Sequence, residues 1–176
     1  SGTVAARHGG ALPDLERIEV AFGARGGLDT AGLPVCPRAR LQNATQSQAL
    51  ARCRGALVGR GTIDAEIPLN PAEPIEAHAG VLAFNGRSHE RPAVWVHAYS
   101  ASPPVSFVLP FYVRRVDDGA YGMLLRAPVA AALGRWPRLR SFAMTLGRRY
   151  LAGGVRHSYL SAGCPAPKGL GRATFP

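Results

Sequence analysis

The feature that most restricts the fold is a run of short apolar alternations cut at close intervals by turn residues. HAGVLAFN and AVWVHAYS, joined through GRSHERP, read as strand, loop and strand, with Asn85-Gly86 as the turn signal. SFVLPFYVRRV and AYGMLLRAPV repeat the arrangement around Asp117-Asp118-Gly119. Within the first arm Pro110 marks an edge position or a bulge, because proline cannot donate to a ladder. RSFAMTLGRRYL and VRHSYLSAG form a third hairpin around Ala152-Gly153-Gly154. Nearer the start, LERIEVAF sets Ile18, Val20 and Phe22 on one face and Arg17 and Glu19 on the other. Val58 to Leu69 turns Ile63, Ala65, Ile67 and Leu69 inward and Thr62, Asp64 and Glu66 outward, until NPAEP breaks the strand.

Helices enter this pattern only as inserts. One is expected from about Thr45 to Arg54, capped by Asn43 or Thr45 and stopped at Gly55. A turn or two is expected in VAAALGRW. The predicted fold is therefore mainly β: an antiparallel sandwich or barrel with one or two short helices. At 176 residues the chain is long enough for one sizeable core. Residues 1–12, rich in small side chains, are expected to be a flexible N-terminal segment, and 13–176 a single β-rich domain. No run of about eighteen apolar residues occurs, so no membrane span is expected.

The net charge is +10, and Lys168 is the only lysine among 21 basic residues. A basic surface could draw polyanions. The arginines are nevertheless spread along the chain in runs no longer than two, with no recognisable nucleic-acid motif. Coding bias toward arginine explains that scatter, and nucleic acid is not the expected partner.

Cys36 and Cys53 bracket the expected helix. A zinc site needs four ligands supplied in close pairs, and no cysteine or histidine lies within four residues of Cys36. A redox pair would read CxxC, which is absent. A disulfide fits best, with two free buried thiols as the remaining alternative. On the chain-entropy model such a bridge stabilises by about 3 kcal/mol. It places maturation outside the reducing cytosol, so the chain is expected to be secreted or at the cell surface. Cys164 is then left over, as a free thiol, an intermolecular bond or half of a pair whose partner is missing. GRATFP reads as the entry to a further strand.

GLPVC (32–36), ALVGRG (56–61), AFNGR (83–87) and SYLSAGCPAPKG (158–169) together resemble a group of exported, uncharacterised proteins of high-GC bacteria. The resemblance runs from about Leu12 onward. It implies export, disulfides, and a chain continuing past Pro176 with more strand and a further cysteine. It implies no activity and transfers no catalytic residue.

Chemical constellations are sparse. GxSxG is absent, and Ser161 in YLSAG is only a loose likeness of a nucleophile elbow. His157-Ser158 and Ser88-His89-Glu90 are sequence neighbours, which point to opposite faces of a strand. Asp64, Glu66, His78 and His97 are the residues a metal could draw on, but solvent-facing strands carry such groups routinely, and neither a metal nor any cofactor is expected. Two aromatic rows stand out: Trp95, His97 and Tyr99 on one strand, and Phe142 with Tyr150 on the third hairpin. Trp95, His97, Tyr99 and Tyr150 are the binding candidates, with the hydrophobic core as their ordinary alternative. The functional expectation is a secreted, non-enzymatic binding or structural interaction module that meets other protein chains or a cell-surface polymer and could self-associate through an exposed β edge. The alternatives are an extracellular hydrolase of an ester or glycan, with His78, His97 or His157 and Ser158 or Ser161, and a carrier of an apolar small molecule.

Overall fold

In a computed structural model, the described residues are 2–3, 15–67, 74–117, 119–129, 138–161 and 173–174. Cys164, Leu69 and most of VAAALGRW lie outside them, as do the proline-rich break and most of the first twelve positions. Thirteen strands and one α-helix are described: β1 Gly2–Thr3, β2 Arg17–Gly23, β3 Gly27–Leu28, α1 Gln46–Cys53, β4 Leu57–Ile67, β5 Ile75–Ser88, β6 Arg91–Ala101, β7 Pro104–Arg115, β8 Tyr121–Pro128, β9 Arg138–Leu146, β10 Arg149–Ala152, β11 Val155–Ser158, β12 Leu160–Ser161 and β13 Ala173–Thr174. Nine of the strands form one antiparallel sheet in the order β1-β9-β4-β5-β6-β7-β8-β2-β13. Two ribbons, β10-β11 and β12-β3, stand apart from it. The fold is mainly β, a sheet curled into a half-barrel with one short helix, as the alternation requires.

The curl follows from patterning and from local irregularity. Register shifts interrupt β4–β5 between Leu57 and Gly59, β4–β9 between Asp64 and Ala65, and β2–β8 between Phe22 and Gly23. Each such shift bends a strand and increases its twist. One face of the sheet is almost wholly aliphatic: Val81, Ala83, Val94, Val96, Ala98, Leu109, Phe111, Leu125 and Ala127 are buried there. Ile18, Val20 and Phe22 of β2 and Ile63 of β4 pack against this cluster, on the side their alternation assigned them.

The opposite face carries a second core. Phe84, Leu82, Trp95 and Val108 are covered by the segment 36–56, whose Cys36, Leu41, Ala44, Ala49, Cys53 and Ala56 are buried against them. Cys36 and Cys53 are joined as a disulfide with their Cα atoms 5.6 Å apart. Thr45 caps α1 in a full capping box: its Oγ1 accepts from the Gln48 N–H at 3.3 Å, and its own N–H donates to Gln48 Oε1 at 2.9 Å. The insert is seated by polar contacts as well as packing. Trp95 Nε1 donates to the Cys36 carbonyl at 2.9 Å, Asn85 Nδ2 to the Pro34 carbonyl at 3.0 Å, and the Cys36 N–H to the Asn85 carbonyl at 2.9 Å.

Three local expectations are corrected. Asn85-Gly86 is not a turn but lies inside β5, opposite Val94 and Ala93. The two-residue turn is His89-Glu90, at φ 46° and 61°, closed by the Ser88–Arg91 pair. Asn85 and Gly86 serve the insert instead: the amide holds loop carbonyls, and a Cβ at position 86 would sit 2.1 Å from the Trp95 indole nitrogen. Pro110 lies in an interior strand opposite Trp95, but past Tyr112–Arg126, the last pair that β7 makes with β8, so no ladder is broken on that side. The third hairpin is split. β9 joins the large sheet beside β4, and only β10 and β11 close around Gly153-Gly154, both at positive φ.

Candidate functional site

The curl brings β2 and β9 toward each other across the floor made by β5–β8. Between them lies a cavity of about 410 Å³. Val81, Val94, Val96, Leu109 and Phe111 make its floor, Ile18, Val20 and Phe22 one wall, and Ile63, Phe142, Met144 and Leu146 the other. Leu160 contributes from β12. Thr62 is the one polar residue among those lining it, so the space offers a guest almost no hydrogen bonds. The floor is buried, whereas the wall residues of β2 and β9 remain partly exposed. A site of this size and lining suits an apolar small molecule or alkyl chain, because apolar surface is what it removes from water.

The polar candidates lie elsewhere. On the opposite face, Asp64 stands between His78 and Ser141: His78 Nδ1 is 2.6 Å from its Oδ1, and Ser141 Oγ donates to its Oδ2 at 2.5 Å. These bonds, the Ser141 hydroxyl first and His78 second, hold the Asp64 carboxyl below its ordinary range. Nucleophilic catalysis needs the imidazole between serine and carboxylate, to take the serine proton and be oriented in turn. Here the carboxylate is in the middle, and no serine among the described residues donates to a histidine. Ser158 Oγ donates to the Leu160 carbonyl and Ser161 Oγ to that of Gly27. Glu66 turns to Arg140, which also meets Glu76, so Asp64 and Glu66 do not converge. Among the described residues no three metal-binding side chains cluster.

A second pair joins β11 to the loop after β3. His157 Nδ1 lies 2.6 Å from Asp29 Oδ2, and the Ala31 N–H donates to Asp29 Oδ1 at 3.0 Å. The His157 bond, followed by that of Ala31, lowers the Asp29 pKa. Tyr150 stacks on His157 with ring centroids 5.3 Å apart and donates its hydroxyl to the Asp29 carbonyl. This cluster ties the β10–β11 ribbon down, next to Leu28 and Leu160, whose pairing links β3 and β12.

The aromatic row on β6 is mostly interior. Trp95 and His97 are buried beneath the insert, and Tyr99 is half-buried opposite Gly80 and Ser106. His97 Nε2 donates to the Ala44 carbonyl at 2.9 Å and Nδ1 has no partner among the described residues, so the ring is held as the Nε2–H tautomer. Burial pushes its pKa down. Tyr159, fully buried, has its hydroxyl pKa raised by the same cause. Phe142 lines the cavity, while Tyr150 faces the Asp29 loop, so this second row separates as well.

Sequence reading did not single out the cavity as a site. Its signal was the depth of the alternation, with aliphatic or aromatic side chains at nearly all the inward positions that line the cavity and none of them charged. No family model, curated protein or solved structure matches the chain.

Proposed function

We propose that the protein is a non-enzymatic binding module that holds an apolar small molecule inside its half-barrel. The observation that carries this is the 410 Å³ cavity lined by Ile, Val, Leu, Phe and Met side chains on both sides of the curl. Elsewhere in the sheet the same side chains close on one another to form core. Pockets of a few hundred Å³ with apolar walls are the usual receptacles for small ligands. A hydrolytic reading finds less support, since Ser141, Ser158 and Ser161 face carboxylate or carbonyl oxygens rather than imidazole. The Cys36–Cys53 disulfide supports maturation outside the reducing cytosol, and we read the protein as secreted or cell-surface on that ground. Among the described residues no helix is long and apolar enough to cross a membrane.

The reading is tested by titrating the whole chain with an environment-sensitive naphthylamine fluorophore. Saturable emission with one site per chain is expected, and it should be abolished by Ile63→Trp, which fills the space from the β4 wall. Absence of saturation, or binding indifferent to Ile63→Trp, would count against it.

A further inference from the structure

The net charge is not as evenly spread as the arginines suggest. The first 118 residues hold twelve basic and all eleven acidic side chains, whereas the last 58 hold nine basic and none acidic. Nearly the whole excess of +10 therefore belongs to the final third of the chain. Within that third stands the β10–β11 ribbon. Its register pairs Tyr150 with His157 and Ala152 with Val155 on one face, and Arg149 with Ser158 and Leu151 with Arg156 on the other. The first face is fastened to the body by the Asp29–His157 pair and by Ala152, which abuts Gly32. The second is left to solvent. On it Leu151 is 69% exposed; Val155, which belongs to the first face but stands at the Gly153-Gly154 tip, is 60% exposed, and these two exceed every other large apolar side chain described. Arg149 and Arg156 are exposed beside them, and neither forms an ion pair among the described residues.

Two protruding aliphatic side chains at a glycine tip, with unpaired guanidinium groups behind them and no acidic residue in the flanking sequence, match one surface in particular. We infer that this ribbon docks the protein peripherally onto an anionic lipid bilayer, with Leu151 and Val155 entering the interface and Arg149 and Arg156 on the headgroup phosphates. Interfacial binding needs this combination of buried apolar area and attraction to anionic lipid. A nucleic acid or acidic glycan would engage the arginines and leave the aliphatic tip in water. Neither the docking nor its test depends on what the half-barrel holds.

The test is co-sedimentation of the full chain with phosphatidylcholine vesicles, with and without phosphatidylglycerol, and a parallel titration with heparin. Binding should require phosphatidylglycerol and weaken with salt. Leu151→Ser with Val155→Ser should lower vesicle partitioning about ten-fold or more while leaving heparin binding unchanged, since apolar insertion serves only the bilayer. Arg149→Gln with Arg156→Gln should lower it roughly 30-fold, at about five-fold per arginine. Arg87→Gln with Arg91→Gln, in the charge-balanced part, should have little effect. All six positions are exposed or half-exposed, and unchanged circular dichroism checks that each variant is folded. The inference is overturned if the aliphatic pair does not matter, which would leave only general polyanion attraction, or if the Arg87/Arg91 variant loses as much as the ribbon variants.

Discussion

The disulfide gives the most exact stability prediction. Cys36 and Cys53 are 17 residues apart, and the bridge closes that loop alone, since both sulfurs lie in the insert. Fixing a loop of this length in the denatured chain stabilises the native state by about 3 kcal/mol on the entropic model. For a chain of this size that corresponds to a fall of roughly 6–12 °C in Tm on reduction. The comparison is oxidised against fully reduced wild type in urea, which changes the bridge and nothing else. Trp95 is a built-in reporter, because its indole donates to the Cys36 carbonyl beneath the insert. The insert should remain seated in the reduced native protein, held by the buried Leu41, Ala44 and Ala49 and by the Trp95 and Asn85 bonds. Native Trp95 emission should therefore survive reduction while the unfolding midpoint falls. A stability loss under about 1 kcal/mol would refute the loop-closure reasoning. Loss of the native emission without unfolding would show that the bridge, rather than the packing, seats the insert.

Burial beneath the insert makes His97 a source of acid sensitivity. Its folded pKa lies below the ordinary histidine value, so the unfolded chain binds more protons once the pH drops below that value. Stability should be level above about pH 7 as far as this residue is concerned and decline toward about pH 5, and His97→Gln should flatten the decline in urea midpoints measured across that range. Gly86→Ala should destabilise by about 1–3 kcal/mol through overpacking against the Trp95 indole, as read from chemical denaturation. Thr45→Ala removes the hydroxyl that accepts from the Gln48 N–H, leaving the Thr45 N–H to Gln48 Oε1 half of the box, and should cost about 1 kcal/mol, measured in the same way.

Much of the fold was legible because a half-buried strand writes its burial into alternate residues. β4 follows that rule from Ile63 to Ile67, and in β2 the alternate Ile18, Val20 and Phe22 pack on the core, although burial itself does not alternate there, Ala21 between them being the buried residue. The helix was legible from its cap, and the disulfide from the absence of zinc-ligand or CxxC spacing around Cys36, ahead of the helix, and Cys53, at its end. Turn chemistry misled at Asn85-Gly86, because the two properties that suit those residues to turns, a small side-chain amide and a missing Cβ, are used in this protein to hold a loop and to clear an indole. His89-Glu90 carries no turn signature and is driven to positive φ by the register of the long strands beside it. The site was harder to read. Alternation tells which side chains face inward but not whether they meet, and the space between β2 and β9 depends on a curl set by three register shifts that no residue pattern announced. The Asp64–Ser141 and Asp29–His157 contacts span 77 and 128 residues and become visible only once strand order is known.

The most direct measurement of the central claim is a set of intermolecular nuclear Overhauser contacts between a bound alkyl probe and methyl-labelled protein. If the half-barrel interior is the receptacle, one probe molecule will show contacts to methyls of Val20 on one wall, Ile63 and Met144 on the other, and Leu125 on the floor. Contacts confined to outward methyls such as Val35, Leu151 and Val155, or contacts to a single wall only, would contradict it.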